Sequence, residues 1–326
     1  MNPAILFFYK TIIGLFAGLL LAALQPVYAQ SYPKGAITLV IPLATGDATD
    51  IAGRAMAEEL SKLLRVPVVP INRPGAGGAL GTESVVKAPK DGQTIVLANN
   101  ASLTYRRVLE PENVSYDPLK DLTPLGISTR IPSVVAVRGD APFKTFGEAL
   151  AYSKSNPGKL RVGTVGAGSV GDFTVQMINT LGADFTMVPF KGAAPGIAAL
   201  LGGHVEGVAV ALGAIAGHLR SGAAKGIAIS NRFPDFPAVP TLSEMGHAQN
   251  IPGVWFAFFA PAGISPEVNH TLVSAIERVI KDPAIAAKLL KLGMVQDYGS
   301  PAKLLAELRD EHRAVEQLAK RAGLVK

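Results

Sequence analysis

Three short segments of the sequence combine glycine with small hydroxyl or carboxylate residues. They are Pro42-Leu43-Ala44-Thr45-Gly46-Asp47-Ala48-Thr49-Asp50, Gly75 to Gly81, and Gly166-Ala167-Gly168-Ser169-Val170-Gly171. Each stands where a β-branched run gives way to a helical pattern. A junction of that kind aims free backbone N–H groups and the positive end of a helix at one spot, which favours bound carboxylate or phosphate. In any single turn the glycines need mean nothing beyond tight geometry. Three such turns, all at the carboxyl ends of strands, point to an anion site.

The third segment also fits two catalytic patterns. It reads as G-x-G-x-x-G, the dinucleotide-binding fingerprint, which requires an acidic residue near the end of the next strand to hold a ribose. Here the strand Phe185 to Val188 runs into Pro189-Phe190-Lys191, and Asp184 comes before it. With Ala167 at the first glycine position the segment also imitates a nucleophile elbow around Ser169. A triad then needs an acid and a histidine downstream. His204, His218, His247, His270 and His312 follow, but His218 falls in a helical pattern and His312 in the charged run Arg309-Asp310-Glu311-His312-Arg313. Ser169 is better read as a helix N-cap, with Asp172 three residues on forming an approximate capping box. A secreted serine hydrolase using Ser169 is the alternative to a binding protein. Cysteine is absent and the histidines show no ligand spacing, so no metal, disulfide, thiol chemistry or cofactor is expected.

The elements that would position these turns alternate along the chain. Ile37–Ile41, Val66–Ile71 and Thr94–Ala98 read as strands, with Asp50–Leu64 and a short segment ending near Lys87 as helices. The prolines of the second strand push it toward a sheet edge. Further strands at Ser133–Val137, Leu160–Thr164, Phe185–Val188, Val205–Val210 and Lys225–Ile229 are separated by helices near Phe146–Ser155, Val170–Leu181, Ala194–Leu201 and Ala214–Arg220. Val254 to Phe259 is a strand, and helices over Pro266–Lys281, Pro283–Leu292 and Pro301–Ala322 close the chain. This alternation predicts two α/β lobes, each a mainly parallel sheet flanked by helices, with a cleft at the carboxyl ends of the strands.

Composition agrees. The 326 residues are 48% hydrophobic and 17% charged, enough for two packed domains and too apolar for disorder. The net charge of +6 is scattered, with no basic stripe interleaved with aromatics, so no nucleic-acid groove is expected. Lys10, an apolar run of about 14 residues and the small residues of Val27-Tyr28-Ala29 read as a secretory leader over residues 1–29, cleaved near Ala29. The competing reading is an uncleaved anchor over Pro3 to Leu24. An exported chain works where nucleotide cofactors are scarce.

At this point the sequence resembles the Bug family, the periplasmic receptors of tripartite tricarboxylate transporters. The likeness runs in order through Tyr32-Pro33, Ile37 to Pro42, Ala48-Thr49-Asp50, Asn72 to Gly78, Ser115 to Leu122, Asn156 to Leu160, Val188 to Gly192, Leu200 to Gly203, Phe236 to Thr241 and Phe259 to Gly263. The resemblance implies a two-lobed Venus-flytrap fold with two crossover strands. The expected lobes are residues 30–130 with 254–326, and residues 131–253. It further implies a periplasmic, monomeric solute-binding protein without catalysis or cofactor, whose partners are a small carboxylate and membrane permease subunits. By that resemblance, Leu43, Thr45, Gly46, Asp47 and Ala48 face Gly166, Ala167, Gly168, Ser169 and Val170 across the ligand. Asn99, Ser102, Lys191 and Val210 would complete the pocket.

Departures from the family pattern concern the ligand. The family usually has two glycines where this chain has Gly46-Asp47, an aromatic at Leu43, a histidine at Asp172, and an acid or amide near Val210-Ala211. Asp47 is either a turn residue facing water or a cleft carboxylate. In the cleft it would oppose a bare carboxylate and favour a ligand bearing an amine, a hydroxyl or a proton. Val210-Ala211 points instead to an apolar or aromatic ligand body.

Overall fold

The computed structural model describes residues 32–321 and 323–325, so the leader expected over residues 1–29 lies outside the described residues. The first part of the chain forms β1 (Ile37–Ile41), α1 (Ala48–Leu64), β2 (Val68–Asn72), α2 (Ala79–Val86) and β3 (Thr94–Asn99). A π-helical turn at Ala101–Tyr105 runs into α3 (Arg106–Leu109), and β4 (Leu122–Ile131) follows. After Pro132 come β5 (Ser133–Arg138), α4 (Phe146–Ser155), β6 (Leu160–Thr164), α5 (Val170–Thr180) and β7 (Phe185–Pro189). Next are α6 (Ala193–Leu201), β8 (Gly207–Ala211), α7 (Leu212–Arg220) and β9 (Ala224–Ile229). The chain ends with β10 (Val254–Pro261), α8 (Pro266–Ile280), α9 (Pro283–Leu290), β11 (Val295–Gly299) and α10 (Pro301–Arg321). Among the described residues no helix is long and apolar enough to cross a membrane.

These strands make a six-stranded sheet, ordered β11-β4-β10-β3-β1-β2, and a five-stranded sheet, ordered β7-β6-β8-β5-β9. In the larger sheet β1, β2 and β3 are parallel, and β10 runs against both β3 and β4. In the smaller, β5 alone opposes its neighbours. Both sheets are mixed: most strands in each share one direction, β10 and β5 next to the crossings between sheets run against both their neighbours, and the edge strand β11 runs against β4. Those crossings lie at Pro132, between β4 and β5, and between β9 and β10. They are pinned to one another: the Ser133 N–H donates to Ser230 Oγ (3.1 Å), the Ser230 N–H donates to the Ser133 carbonyl (2.9 Å), and Ser133 Oγ donates to the Pro252 carbonyl.

Burial patterns explain the packing. In α1 the buried Ala52, Met56 and Leu60 recur every four residues, forming one apolar stripe toward the larger sheet. β10 is buried along almost its whole length, on both faces, which is why it reads as an unbroken apolar run rather than an alternating one. Full burial of each such large side chain stabilises by about 1.5–3 kcal/mol. β2 lies at the sheet edge, as its prolines imply, with Val69 and Ile71 exposed.

Two strands and a helical segment were not anticipated. β4 carries Thr123, Pro124, Gly126, Ser128, Thr129 and Arg130, which hide its strand pattern. The polar groups are satisfied by tertiary partners: Ser128 Oγ donates to the Phe256 carbonyl (3.1 Å), and Arg130 pairs with Asp297 of β11 and Glu307 of α10. β11 is a short edge strand, and the Ala101–Leu109 segment lacks a clear helical period.

Candidate functional site

The first and third glycine-rich turns build the same local structure, once on each sheet. Gly46 and Gly168 have φ of +84° and +69°, a left-handed conformation that glycine adopts without a Cβ clash. Each is followed by an extended N-cap residue, Asp47 or Ser169, whose side chain accepts an N–H of the helix it opens. Asp47 Oδ1 accepts from the Thr49 N–H (3.0 Å), and Ser169 Oγ accepts from the Asp172 N–H (3.0 Å). A second acid closes each motif from inside the helix: the Gly46 N–H donates to Asp50 Oδ2 (3.0 Å), and the Gly168 N–H donates to Asp172 Oδ2 (2.7 Å). Asp172 thus reaches one residue further back than a standard capping box would place it. Burial raises the Asp172 carboxyl above the usual range, against bonds from Gln176 and Gly168 that lower it.

The glycine amides are consequently already engaged. The donors left for an anion are the first amides of the helices, at Ala48, Val170 and Gly171, which have no acceptor among the described residues.

These helix starts converge on a small cavity between the sheets. Leu43, Asp47, Asn99 and Ala101 line it from the larger sheet's side, Ser133, Val165, Val170, Gly171 and Val210 from the other, and Val254 and Phe256 from β10. Its volume is about 30 Å³, room for on the order of two water molecules. Ligand pockets run to roughly 300–1,000 Å³, so an organic acid enters only when the sheets part. No cationic side chain lines the cavity among the described residues.

The surrounding turns close on one another. Asp47 Oδ2 accepts from the Ala193 N–H, the first residue of α6 on the opposite sheet (3.3 Å). A Cβ added to Gly77 would lie 3.3 Å from the Ala167 carbonyl oxygen, so the second and third turns also meet. Arg106 Nη1 donates to that carbonyl (2.6 Å), while its Nη2 pairs with Glu110 (2.7 Å).

Of the residues named from sequence, Leu43, Asp47, Asn99, Val170 and Val210 reach the cavity. Asp47 is only 3% exposed and lines the cavity, so of its two readings the structure supports the cleft carboxylate over the turn residue facing water. Burial raises its carboxyl above the ordinary range, opposed by bonds from Thr49 and Ala193. Thr45, Gly46 and Lys191 are exposed instead, and Thr45 Oγ1 donates to Asn72 Oδ1 (3.2 Å). Ala48 is buried in the first turn of α1. Ser102 is fully buried, its hydroxyl donating to the Asn99 carbonyl (3.0 Å) and accepting from Thr82 (3.1 Å). Gly166, Ala167, Gly168 and Ser169 form the turn beside the cavity without lining it. Ser133, Phe256 and Arg106 were missed. The first two belong to crossing strands whose role depends on sheet topology. Arg106 sits in a basic pair, Arg106-Arg107, that looks like surface until α3 is placed.

Ser169 is fully buried, and among the described residues no histidine hydrogen-bonds to it. The histidines, aspartates and glutamates described form no cluster that could hold a metal. Ser169→Ala should lower stability by about 1 kcal/mol, as loss of an N-cap does. Thermal denaturation checks this, and labelling of the parent protein by a serine-directed phosphonate would contradict the capping role.

The architecture is that of periplasmic binding proteins. The structure of the periplasmic binding protein BugD matches with a TM-score of 0.85 at 29% identity, covering 90% of this chain and 100% of that one. MatC from Rhodopseudomonas palustris, solved with bound malate, matches at 0.84 and 30% identity over 88% of this chain and 99% of that one. The chain belongs to the tripartite tricarboxylate transporter family receptors, whose family model matches residues 52–324. BugT of Bordetella pertussis is 31% identical over 290 residues, 88% of this chain and 89% of that protein. These are receptors and not enzymes.

Proposed function

We propose that the protein captures a small organic acid between its lobes and delivers it to the membrane permease subunits of a tripartite tricarboxylate-type transporter. On this reading it acts in the periplasm as a monomer, after removal of residues 1–29 near Ala29. The lobes are residues 30–130 with 254–326, and residues 131–253. The observation that carries the reading is the pair of capped helix starts meeting at one cavity from opposite sheets: the amides of Ala48, Val170 and Gly171 have no acceptor among the described residues, and Asp47, Val170 and Gly171 line the cavity. Such amides bind carboxylate oxygens and carry the favourable helix dipole. Malate in MatC supports an acid as the ligand class.

The test is thermal denaturation in the presence of a broad panel of mono-, di- and tricarboxylates. A true ligand at 100 times its dissociation constant stabilises by about 2.7 kcal/mol, which raises Tm by several degrees. A panel that shifts nothing would overturn the reading.

A further inference from the structure

The two cap motifs differ in one chemical respect. The turn on the smaller sheet is capped by neutral Ser169, and its counterpart on the larger sheet by the carboxylate of Asp47. That carboxylate is buried in the cavity wall. Its Oδ1 accepts from the Thr49 N–H (3.0 Å) and the Thr49 hydroxyl (3.2 Å), and its Oδ2 from the Ala193 N–H across the cleft (3.3 Å). Three donors aimed at two oxygens keep the group an acceptor. The cation Arg54 is paired with the nearby Asp50 (2.8 Å), and Asp47 makes no ion pair among the described residues. Lys191, close in sequence to Ala193, is exposed and outside the lining.

Any ligand therefore meets unlike ends. On the α5 side it finds the amides of Val170 and Gly171, which have no acceptor among the described residues and suit one carboxylate. On the α1 side it finds a buried negative acceptor. Between them stand apolar walls, with Leu43, Val165, Val210 and Phe256 among them. A dianion spanning this space would bring its second carboxylate against Asp47 with no cation to intervene, and like charges in a desolvated site repel strongly.

We propose that Asp47 makes this receptor selective for acids with a single carboxylate and, at the far end of a short apolar body, a hydrogen-bond donor such as an amide, hydroxyl or ammonium group. The donor takes the place of the Ala193 N–H on Oδ2 as the lobes part to admit the ligand. This specificity rests on the receptor reading above.

The experiment measures calorimetric binding of two matched pairs, succinate against succinamate and glutarate against glutaramate, to the purified protein at neutral pH. Each pair differs only by one carboxylate exchanged for a carboxamide. The half-amides should bind the parent protein at least about tenfold more tightly. Asp47→Asn removes the charge, and Asp47→Ser substitutes the cap used by the sister turn, so the fold has two routes to survive. Either variant should erase or reverse the preference. Equal or tighter binding of the dicarboxylates by the parent overturns the proposal, as does an unchanged ratio in both variants. If neither member of either pair binds, the proposal fails, and the acid panel above decides whether the receptor reading fails with it.

Discussion

Glu311→Ala is expected to lower the unfolding free energy by about 3 kcal/mol, because it removes the acceptor shared by three inward-facing donors. Glu311, on α10, accepts at Oε1 from Asn100 Nδ2 (2.9 Å) and Trp255 Nε1 (3.0 Å), and at Oε2 from the Thr104 hydroxyl (3.0 Å). Asn100 and Thr104 are fully buried, and Asn100 Nδ2 also donates to the Gly253 carbonyl (3.1 Å). One side chain thus ties the last helix to the π-helical turn before Arg106 and to the start of β10 at the crossing. In a protein of this size the loss corresponds to a Tm lower by roughly 5 °C, which calorimetry would read. An unchanged Tm would show that the network carries no stability. The same group has a pH signature. Desolvation raises its carboxyl above the ordinary value, against the three hydrogen bonds that lower it. Between the ordinary value and the raised one, the folded state holds a proton that the unfolded chain has released. Stability from this group therefore falls as pH rises through that window. Asp47 and Asp172, raised by the same cause, add slopes of the same sign. Glu311→Gln keeps one acceptor oxygen and should flatten the slope relative to the parent.

Gly171→Val should be more severe. A Cβ on Gly171 would fall within the contact radius of the Ala209 carbonyl oxygen, which belongs to the backbone of β8 and has no side-chain freedom to yield. The helix α5 would have to lift from the smaller sheet, uncovering the face against which Val175, Met177 and Ile178 pack. A loss above about 4 kcal/mol, the range reached by few single substitutions, is expected. The readout is the yield of folded protein and its circular-dichroism melt. A variant melting at the parent's temperature would mean that the helix stands further from the strand than described. Gly171 also lines the cavity, so the tight approach that forbids a side chain is what brings an amide to the ligand space.

The lobes' strand and helix order was legible because most elements carry their own period. α1, α5 and the closing helices repeat every three to four residues, and β1 and β10 are apolar runs bounded by Gly or Pro. β4 escaped because its polar residues look like a loop until Arg130 meets Asp297 and Glu307, more than a hundred residues away. The site was legible where it is local: Ser169 announces a cap by residue type, while the cap formed by Asp47 emerges only in the structure. What sequence could not give was which side of each turn faces inward. Thr45 and Lys191, which the resemblance places in the pocket, are exposed, while Val165 and Phe256, chemically silent, form the walls. Nor could it place Asp47, whose burial depends on α6 arriving from the other sheet.

The interleaving of the larger sheet bears on the order in which the chain becomes structured during synthesis. β10 lies between β3 and β4, yet it is separated from β4 by the whole of the smaller sheet. Until residue 254 leaves the ribosome, the facing edges of β3 and β4 have no strand to pair with. The five strands from 133 to 229 suffer no such delay. Over that interval these two bare edges are of the kind that invite wrong partners.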